Sequence, residues 1–436
     1  MTLEIKSSEN YAAQIVRVGE VLKLPNSDRL YGVNVFGNLA VVDESWTERG
    51  GELAVFFPVE SQLSEGFAWH ANLHRHSDLN QNPREVGYLE DNRRIRALKL
   101  RGNVSKALLL PLSVIEKYTD YPNFTEGDRF DTVNGLEISR KYVIKEPQVF
   151  DRQGKKIKQA FKRVDSTLLP EHIETDQWLR NEQVVDDDEI LIVTQKLHGT
   201  SARFANTIVR RQLSWWERAL VRVGVKIRDT EYDTVAGSRK SIKDPHNPAQ
   251  KHFYGEGGDL WTDYLGRVES SIPKGYVIYG EIVGWTDNGS PIQKGHTYGE
   301  PEGERTLYVY RVATVNPDGE IHDLSWDQVR QFAAQRGLKT VPELWRGFKR
   351  DFELDVFVEK DFHAHWLTGQ VTGFSLYADE PVALSKGGTG KDEGIAIRVE
   401  NGGAIPLLFK YKNDSHYLYE TAQLDAGELD LESAES

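Results

Sequence analysis

The 436-residue sequence predicts an α+β protein in which a small N-terminal β-barrel precedes a larger domain of antiparallel sheets flanked by helices. Two observations predict this class. Residues 15–59 alternate runs rich in β-branched and aromatic residues with turn sequences such as PNSD and GG, which is typical of short barrel strands. Beyond residue 190, further short strand patterns occur together with a well-capped helical segment, which indicates a mixed domain.

Composition excludes several classes of protein. Hydrophobic residues make up 39% of the chain, and 17 Phe, 18 Tyr and 10 Trp supply enough apolar surface for packed cores, so wholesale disorder is excluded. The absence of cysteine excludes disulfides, thiolate zinc sites and a cysteine nucleophile. No apolar run is long enough to cross a bilayer and no signal-peptide pattern opens the chain, so we expect a soluble, cytoplasmic protein without a membrane partner.

Charge is distributed unevenly along the chain. The 54 Lys and Arg against 67 Asp and Glu give a net charge of −13, which argues against a simple basic protein that coats nucleic acid. Residues 203–243 nevertheless carry ten Lys and Arg against four acids, whereas the residues after Lys412 carry seven acids and neither Lys nor Arg. Each run is either a solvated surface or a binding surface.

The first predicted module spans residues 1–145. Its predicted strands are IVRVGEVLKL, RLYGVNVFG, LAVVDES and ELAVFFPV, and a second β pair, RRIRALKLRG and SKALLLPLSVI, ends near residue 115. The strings PNSDRLYGVNV and LRGNVSKALLL resemble the tRNA-binding type of OB-fold. That resemblance implies an OB-fold-like, nucleic-acid-binding domain.

The second predicted domain covers residues 166–420. Residues 146–165 are basic and poor in β-branched residues, so they predict a linker or a helical arm. PEHIETDQWLRN predicts a short helix with Thr175 as N-cap, and ILIVTQK predicts a strand. DQVRQFAAQR predicts a helix, with Ser325 as N-cap, Gln328 three residues later and Gly337 after its end. Residues 421–436 are assigned to an acidic tail.

Lys196 ends the predicted strand ILIVTQK and is followed by a turn through Gly199. A lysine at the end of a buried strand becomes a nucleophilic amine when desolvation or a neighbouring cation lowers its pKa. Taken alone, however, a lysine after a strand is more often a surface residue. The fragment therefore predicts a nucleophile only together with the motifs that follow it.

Those motifs occur in the order of one superfamily. Lys196-Leu197-His198-Gly199 resembles the KxHG form of the nucleotide-attachment motif, KxDG in general, of the covalent nucleotidyltransferases, which comprise polynucleotide ligases and mRNA capping enzymes. AGSRK, VIYGEIVG, TLYVYRV, DEGIAIRVE and PLLFKYKND resemble the motifs that follow it, in the expected order and spacing between residues 190 and 414.

Two features refine the resemblance. Histidine in KxHG, followed by threonine, resembles the double-strand-specific RNA ligases of the phage type. DNA ligases and capping enzymes carry an OB domain after the last motif, and the 24 residues that follow Lys412 are too few for one. The OB-like module instead precedes the motifs, which resembles the ATP-dependent, Deinococcus-type RNA ligases with an N-terminal OB domain and a C-terminal nucleotidyltransferase domain.

The resemblance implies a role for each matched residue. Lys196 is the implied nucleophile, and Lys410 and Lys412 are the implied catalytic partners that bind phosphate, since residues two apart on a strand share a face. Glu393 is the implied ligand of Mg²⁺ or Mn²⁺. The implied ATP-binding residues, with Glu281 at the ribose and Tyr310 at the purine, are Thr194, Gln195, Leu197, Gly199, Arg203, Arg239, Glu281 and Tyr310.

Without the shared order, each of these residues has a plainer interpretation. Tyr310 is equally well a core residue, Glu281 a charge at a strand edge, and Lys410 and Lys412 a solvated edge.

The implied function is an ATP-dependent RNA ligase that joins 3′-hydroxyl and 5′-phosphate RNA ends, bridged by a complementary strand. The implied intermediates are lysyl-AMP and an adenylylated 5′-phosphate. The alternatives are an RNA capping guanylyltransferase and a non-catalytic RNA-binding protein.

Three further patterns have competing interpretations. VRRQLSWWERALVRVGVKIR, residues 209–228, predicts either a helix packed on the domain or one that binds RNA phosphates. KGGTGKD, residues 386–392, departs from a phosphate-binding loop at Ser385 and Asp392, so it predicts a glycine-rich hairpin. His70 and His74 lie one helical turn apart but lack an obvious further ligand, so a metal site there is the weaker interpretation.

Overall fold

The computed structural model describes residues 5–6, 10–119, 123–143, 163–211, 213–243, 259–358, 378–384 and 389–427. They fall into two compact units. The first comprises Met1–Val143, Asp176–Glu182 and Tyr417–Gly427, and the second comprises Ile144–Thr175, Gln183–His416 and Glu428–Ser436. Most of the predicted linker 146–165, part of the glycine-rich string 386–392 and residues 428–436 of the predicted acidic tail lie outside the described residues.

The first unit consists mainly of short strands. Its helices are α1 (Glu65–His70), α2 (Ser113–Glu116) and α3 (Trp178–Asn181). Its strands are β1 (Ile5–Lys6), β2 (Ala13–Arg17), β3 (Val21–Lys23), β4 (Tyr31–Val35), β5 (Asn38–Val42), β6 (Leu53–Pro58), β7 (Ser61–Leu63), β8 (Leu98–Leu100), β9 (Asn103–Ser105), β10 (Ala107–Pro111), β11 (Arg129–Phe130), β12 (Thr132–Val133), β13 (Leu136–Glu137), β14 (Ser139–Lys141) and β15 (Asp176–Gln177).

Two antiparallel sheets of this unit share a core. One has the strand order β10–β6–β2–β11 and the other the order β3–β4–β5. Alternate residues of both sheets, such as Val16, Val33, Phe56 and Leu109, are buried in one apolar cluster, as the period-2 pattern of the sequence requires. No closed barrel is found among the described residues of the unit, so the predicted OB-like barrel is not confirmed, whereas its short strands are.

The second unit is a mixture of long strands and helices. Its helices are α4 (Trp215–Arg222), α5 (Leu260–Val268) and α6 (Trp326–Gln335), and the last helix of the chain is α7 (Asp414–Asp425). Its strands are β16 (Ile190–Lys196), β17 (Thr200–Arg210), β18 (Thr230–Gly237), β19 (Ile242–Lys243), β20 (Tyr276–Gly284), β21 (Arg305–Val315), β22 (Ile321–Asp323), β23 (Lys339–Thr340), β24 (Glu343–Phe348), β25 (Gly394–Val399) and β26 (Leu407–Lys412).

Two sheets of the second unit position the predicted site. In one, the strands follow the order β26–β25–β16–β24, and in the other the order β19–β18–β17–β20–β21–β22. The pairing is antiparallel throughout these two orders, and β23 adds a short parallel pair with β21. The chain passes from the first sheet to the second in the tight turn between β16 and β17. Buried residues of both sheets and of α6, among them Ile192, Phe204, Ile282 and Trp326, form one apolar core.

The helix predicted after Ser325 was confirmed. Helix α6 starts after Ser325, whose side chain forms a capping box with Gln328, and Gly337 beyond its end has a φ of +67°. The helix predicted after Thr175 was placed wrongly. It covers only Trp178–Asn181, with Gln177 as N-cap, because Asp176 and Gln177 form the short strand β15. No helix among the described residues has the length and apolar character needed to span a membrane.

Candidate active site

Lys196 lies at the end of β16, beside the turn that leads into the other sheet. Its Nζ is 2.7 Å from Glu393 Oε1, and the Nζ of Lys412 is 3.7 Å from the same oxygen. The Lys196 side chain is 25% exposed, whereas those of Glu393 and Lys412 are 3% and 10% exposed. A lysine that a ligand can reach is therefore held by a buried carboxylate.

Strand register explains why these groups meet. Lys196 pairs with Gly394 across β16 and β25, and Gly394 pairs with Lys412 across β25 and β26. Directly opposite residues of antiparallel strands project to the same face, so the two lysines flank Gly394. Gly394 has a φ of +140°, and a Cβ there would lie 2.0 Å from the Tyr411 carbonyl oxygen. Only glycine fits between the lysines, and Glu393 immediately before it reaches both of them.

Charge keeps the Glu393 carboxylate ionised. Burial by itself raises the pKa of Glu393, but the positive charges of Lys196 and Lys412 outweigh burial and lower this pKa to about 2. The carboxylate is consequently a poor proton acceptor at neutral pH. It orients the two lysines instead.

Lys410 occupies the next position on the same face of β26. It pairs with Ala396, which in turn pairs with Thr194 of β16. Since residues two apart on a strand project to one face, Lys410 and Lys412 form a row of positive charge beside β16. Lys410 is 6% exposed, so its ammonium group is largely withdrawn from water. Thr194 Oγ1 donates to the carbonyl of Ala396 at 3.4 Å and ties these strands together.

Two neighbours of Lys196 have structural contacts. Gln195 Nε2 donates to the Val382 carbonyl at 2.9 Å, and its Oε1 accepts from the Val382 N–H at 2.8 Å. Leu197 is 3% exposed and belongs to the apolar core. Both residues flank Lys196 in the sequence, and both anchor it to the surrounding structure; their predicted contact with ATP stays a prediction.

Glu281 holds the turn after Lys196. It accepts from the Gly199 N–H through Oε1 at 3.0 Å and from the Ser201 hydroxyl through Oε2 at 3.2 Å. A Cβ at Gly199 would lie 2.3 Å from the Ile282 carbonyl oxygen, so only glycine permits this approach of the turn to β20. Glu281 therefore fixes the turn, and its predicted contact with the ribose stays a prediction.

The segment between β20 and β21 also supports the turn, and the motif analysis did not identify its residues. The Tyr298 hydroxyl accepts from the His198 N–H at 2.8 Å, and Gln293 Nε2 donates to the Gly199 carbonyl at 3.0 Å. Tyr298 is 5% exposed and Gln293 8% exposed. These residues follow β20 by about ten positions in a turn-rich string with no motif of its own, so no sequence signal identified them.

The predicted nucleotide-binding residues of the second sheet contact a different segment, residues 169–174. Arg203 is 1% exposed and its Nη1 donates to the Leu169 carbonyl at 3.0 Å. The hydroxyl of Tyr310 is 2.6 Å from His172 Nδ1, and Arg239 Nη2 donates to Glu174 Oε2 at 3.3 Å. Arg203, Arg239 and Tyr310 are thus brought to one segment.

His172 is a further candidate residue that the sequence analysis missed. Its ring centroid is 5.2 Å from that of Tyr279 and 6.0 Å from that of Tyr310, and the Tyr279 hydroxyl donates to the Pro170 carbonyl at 3.0 Å. Tyr279 is fully buried and lies edge-on to His172, so the partly exposed rings of His172 and Tyr310 are the ones that a planar base could contact. The short helix predicted within residues 170–181 starts after Thr175, and no motif of the sequence includes His172, so no sequence signal identified this residue.

Helix α4 carries an exposed apolar and basic surface. Ser214 caps it in a capping box with Glu217, and Arg211 Nη2 donates to Glu217 Oε1 at 2.7 Å, which anchors the helix at its start. Trp215 is 79% and Trp216 52% exposed. The prediction that this helix packs its apolar face on the domain is therefore wrong for the two tryptophans. The exposed basic residues are Arg218, Arg222, Lys226 and Arg228.

One family model and several solved structures match this chain. The sequence model of the family described as RNA ligase matches residues 189–412. Among solved structures, a Naegleria gruberi RNA ligase mutant with ATP and Mn gives a TM-score of 0.55 at 14% identity, over 95% of this chain and 99% of that chain. An apo mutant of the same ligase gives 0.55 at 15% identity, over 94% and 98%. A third mutant, with AMP and Mn, gives 0.54 at 14% identity, over 94% and 98%.

At such identities the structural likeness concerns the fold. It extends over nearly the whole of both chains, so it includes the N-terminal strands as well as the sheets around Lys196. Among curated proteins, none matches the sequence.

Proposed function

The chain belongs to the RNA ligase family, and from that premise we propose that it is an ATP-dependent ligase that joins an RNA 3′-hydroxyl to a 5′-phosphate. The observation that carries the proposal is the pairing of the accessible Lys196 with the buried Glu393 at 2.7 Å, beside the positive row of Lys410 and Lys412. A reactive amine next to fixed positive charge is the arrangement that attack on a phosphate requires.

In the first step, the ion-paired ammonium group of Lys196 loses a proton to water, and the resulting amine attacks the α-phosphorus of ATP and loses a second proton to water as the new bond forms. A nitrogen–phosphorus bond forms while the bond from the α-phosphorus to the oxygen that bridges to the β-phosphate breaks, so pyrophosphate leaves and lysyl-AMP remains. Lys410 and Lys412 neutralise the charge that develops on the phosphate oxygens. Glu393 keeps Lys196 in position, and Glu281 keeps the turn that follows it rigid.

Two further steps complete the reaction. A 5′-phosphate oxygen of RNA attacks the phosphorus of lysyl-AMP and releases the Lys196 amine, which gives an adenylylated 5′-phosphate. The 3′-hydroxyl of the other RNA end then attacks that 5′-phosphate and expels AMP. A complementary strand that bridges both ends would hold the attacking oxygen in line.

The site also fits a divalent metal ion, Mg²⁺ or Mn²⁺. Glu393 Oε2 is buried and has no hydrogen-bond partner within the described part of the chain, so one carboxylate oxygen is available as a ligand. A bound divalent ion would neutralise negative charge on the ATP phosphates. Glu393 is the residue that would hold it.

Substitutions of Tyr310 test the proposed purine site. Replacement of Tyr310 by Ala should raise the ATP concentration for half-maximal adenylylation by roughly 10-fold, because the stacking ring is lost. Replacement by Phe keeps the ring and removes only the contact with His172, so a smaller increase is expected. Time courses of AMP incorporation at varied ATP would measure both. Equal losses in the two variants would mean that the hydroxyl, not stacking, is important.

Helix α4 is the proposed contact with RNA phosphates. Replacement of both Arg218 and Arg222 by Ala should weaken binding of a nicked RNA duplex and reduce the slope of log affinity against log salt by about 2, because two phosphate contacts are lost. Fluorescence titrations at several salt concentrations measure the slope. Arg267→Ala, at a 46% exposed arginine of α5, is the matched control. An unchanged slope in the double variant would exclude this contact.

The N-terminal module, residues 1–145, is proposed as an OB-like domain that binds the RNA strand ending in the 3′-hydroxyl, in the Deinococcus-type arrangement with a linker at 146–165, a nucleotidyltransferase domain at 166–420 and an acidic tail. A basic surface supports this role. Asn103 Nδ2 donates to the Pro25 carbonyl at 3.4 Å and joins the β3–β4 turn to the β8–β9 hairpin. The exposed cations on these hairpins are Lys23, Arg29, Lys99 and Arg101.

Two assays test the proposal against its alternatives. Incubation with labelled ATP and, separately, labelled GTP should label the protein with AMP only. A ligation panel with RNA or DNA placed independently on the 3′-hydroxyl strand, the 5′-phosphate strand and the bridging strand should show sealing that requires RNA at the 3′-hydroxyl. Label from GTP alone would favour a capping guanylyltransferase, and no label from either nucleotide would favour a non-catalytic RNA-binding protein.

A further inference from the structure

Three buried histidines lie near the carboxylate of Glu393. His198, His296 and His416 are 6%, 0% and 0% exposed. The ring centroid of His198 is 4.7 Å from that of His296 and 4.8 Å from that of His416. His198, His416 and Glu393 each offer a ligand atom, and these atoms lie within 4.8 Å of one another. Imidazole and carboxylate groups that converge in this way are typical of metal ligands.

Contacts with backbone carbonyl oxygens distinguish His296 from His416. His296 has Nδ1 2.9 Å from the Lys294 carbonyl and Nε2 2.8 Å from the Lys391 carbonyl, so both of its nitrogens face backbone oxygens. His416 Nδ1 is 3.1 Å from the same Lys391 carbonyl. A ring that donates from Nδ1 has its lone pair on Nε2, and such a donor bond orients metal-binding histidines. His296 is thus a packing partner, and His416 is oriented as a ligand.

The two oxygens of Glu393 have different surroundings. Oε1 lies near both Lys196 and Lys412, at 2.7 and 3.7 Å. Oε2 is buried without a hydrogen-bond partner in the described residues, which costs free energy in a protein interior unless a ligand compensates. The lysines engage one oxygen, and the other remains as a ligand atom beside the two imidazoles.

The type of donor atom determines which ions suit this position best. Mg²⁺ prefers oxygen ligands, and His198, His416 and Glu393 offer two imidazole nitrogens and one carboxylate oxygen. Imidazole nitrogens form stronger bonds to Zn²⁺ and Co²⁺, because these ions prefer nitrogen donors more than Mg²⁺ does.

We propose that His198 and His416, together with Glu393, bind a zinc-type divalent transition metal ion directly, before any nucleotide is bound. The inference deepens the proposed function, since Glu393 is the metal ligand in it, and it adds direct imidazole coordination and a selectivity for Zn²⁺ and Co²⁺ over Mg²⁺. Two histidines and a glutamate are also a common three-ligand zinc set that leaves a position open for water or a phosphate oxygen.

The spacing permits this coordination after a small contraction. Ligand atoms about 2.1 Å from a tetrahedral ion are about 3.4 Å apart, compared with the present limit of 4.8 Å. His198 lies in the turn after Lys196, where its N–H donates to the Tyr298 hydroxyl, and His416 lies in the first turn of α7. Coordination therefore requires the three ligand atoms to approach one another by at most about 1.4 Å.

Titration of Co²⁺ into the metal-free, full-length protein tests the inference, because its visible absorption reports coordination geometry without any turnover. One Co²⁺ per chain should bind and persist in excess Mg²⁺. His416→Gln and His198→Gln should each weaken Co²⁺ binding by at least about 10-fold, whereas His322→Gln, at an exposed histidine of β22, should not. Thermal unfolding of each variant shows that it is folded.

Two more variants keep the test decisive. His198→Asp restores the general KxDG form and should reduce the preference for Co²⁺ over Mg²⁺, even if His416→Gln fails to fold. Lys196→Ala removes one positive charge, so it should bind Co²⁺ at least as tightly although it cannot form lysyl-AMP. Binding that is unchanged in both His→Gln variants, or displaced by equimolar Mg²⁺, would overturn the metal site while adenylylation by the wild type leaves the proposed function intact.

Discussion

Lys196→Ala should abolish the covalent protein–AMP adduct while the protein remains folded. The accessible amine at the end of β16 is the group proposed to form the bond to phosphorus, and no other side chain of that strand can replace it. Mass spectrometry after incubation with ATP and Mg²⁺ should show the mass of one added AMP on the wild type only. Circular dichroism and thermal unfolding establish that the variant keeps its fold.

The matched control for this variant is Lys339→Ala. Lys339 belongs to the same unit, and its side chain is 59% exposed on the short strand β23. It should acquire AMP at the wild-type rate. An adduct on Lys196→Ala at the wild-type level would assign the nucleophile to another residue, and peptide mapping would identify it.

Lys412→Ala and Lys410→Ala should each slow adenylylation by roughly 10²-fold or more. Each lysine is proposed to supply a charge-assisted contact that strengthens as charge develops on the phosphate oxygens. Lys412 additionally lies 3.7 Å from Glu393, so its removal also changes the position of the carboxylate that holds Lys196. Initial rates of label incorporation from ATP measure the effect.

Two comparisons separate charge from structure in the Lys410 and Lys412 variants. Lys412→Arg retains the charge and should recover part of the lost rate, whereas Lys412→Gln retains much of the length and should not. Near-normal rates in both alanine variants would instead indicate that Lys410 and Lys412 form a solvated edge of the sheet without a catalytic role. That is the plainer interpretation of the sequence.

The sequence predicted much of the framework around Lys196. The apolar run ILIVTQK predicted β16, and the structure places a strand at Ile190–Lys196. The cap residue Ser325 predicted the start of α6. These features depend on local periodicity and capping, which act within a few residues and are therefore visible in the chain.

Predictions that depended on distant contacts were less successful. The helix assigned after Thr175 begins later, since Asp176 and Gln177 form the strand β15. The closed N-terminal barrel is not confirmed, because the order in which short strands pair is a property of the whole unit.

The sequence by itself determined the lysine that ends a strand, the order of the motifs around it and the glycines of the turns. Only the tertiary structure decided which groups surround that lysine. Glu393 lies 197 residues from Lys196 in the sequence and 2.7 Å from it in space. Tyr298 and His416 likewise contact His198, in the turn after Lys196, through long connections. Local patterns record the backbone conformation of a segment, whereas the partners of a side chain depend on the packing of segments far apart in the chain.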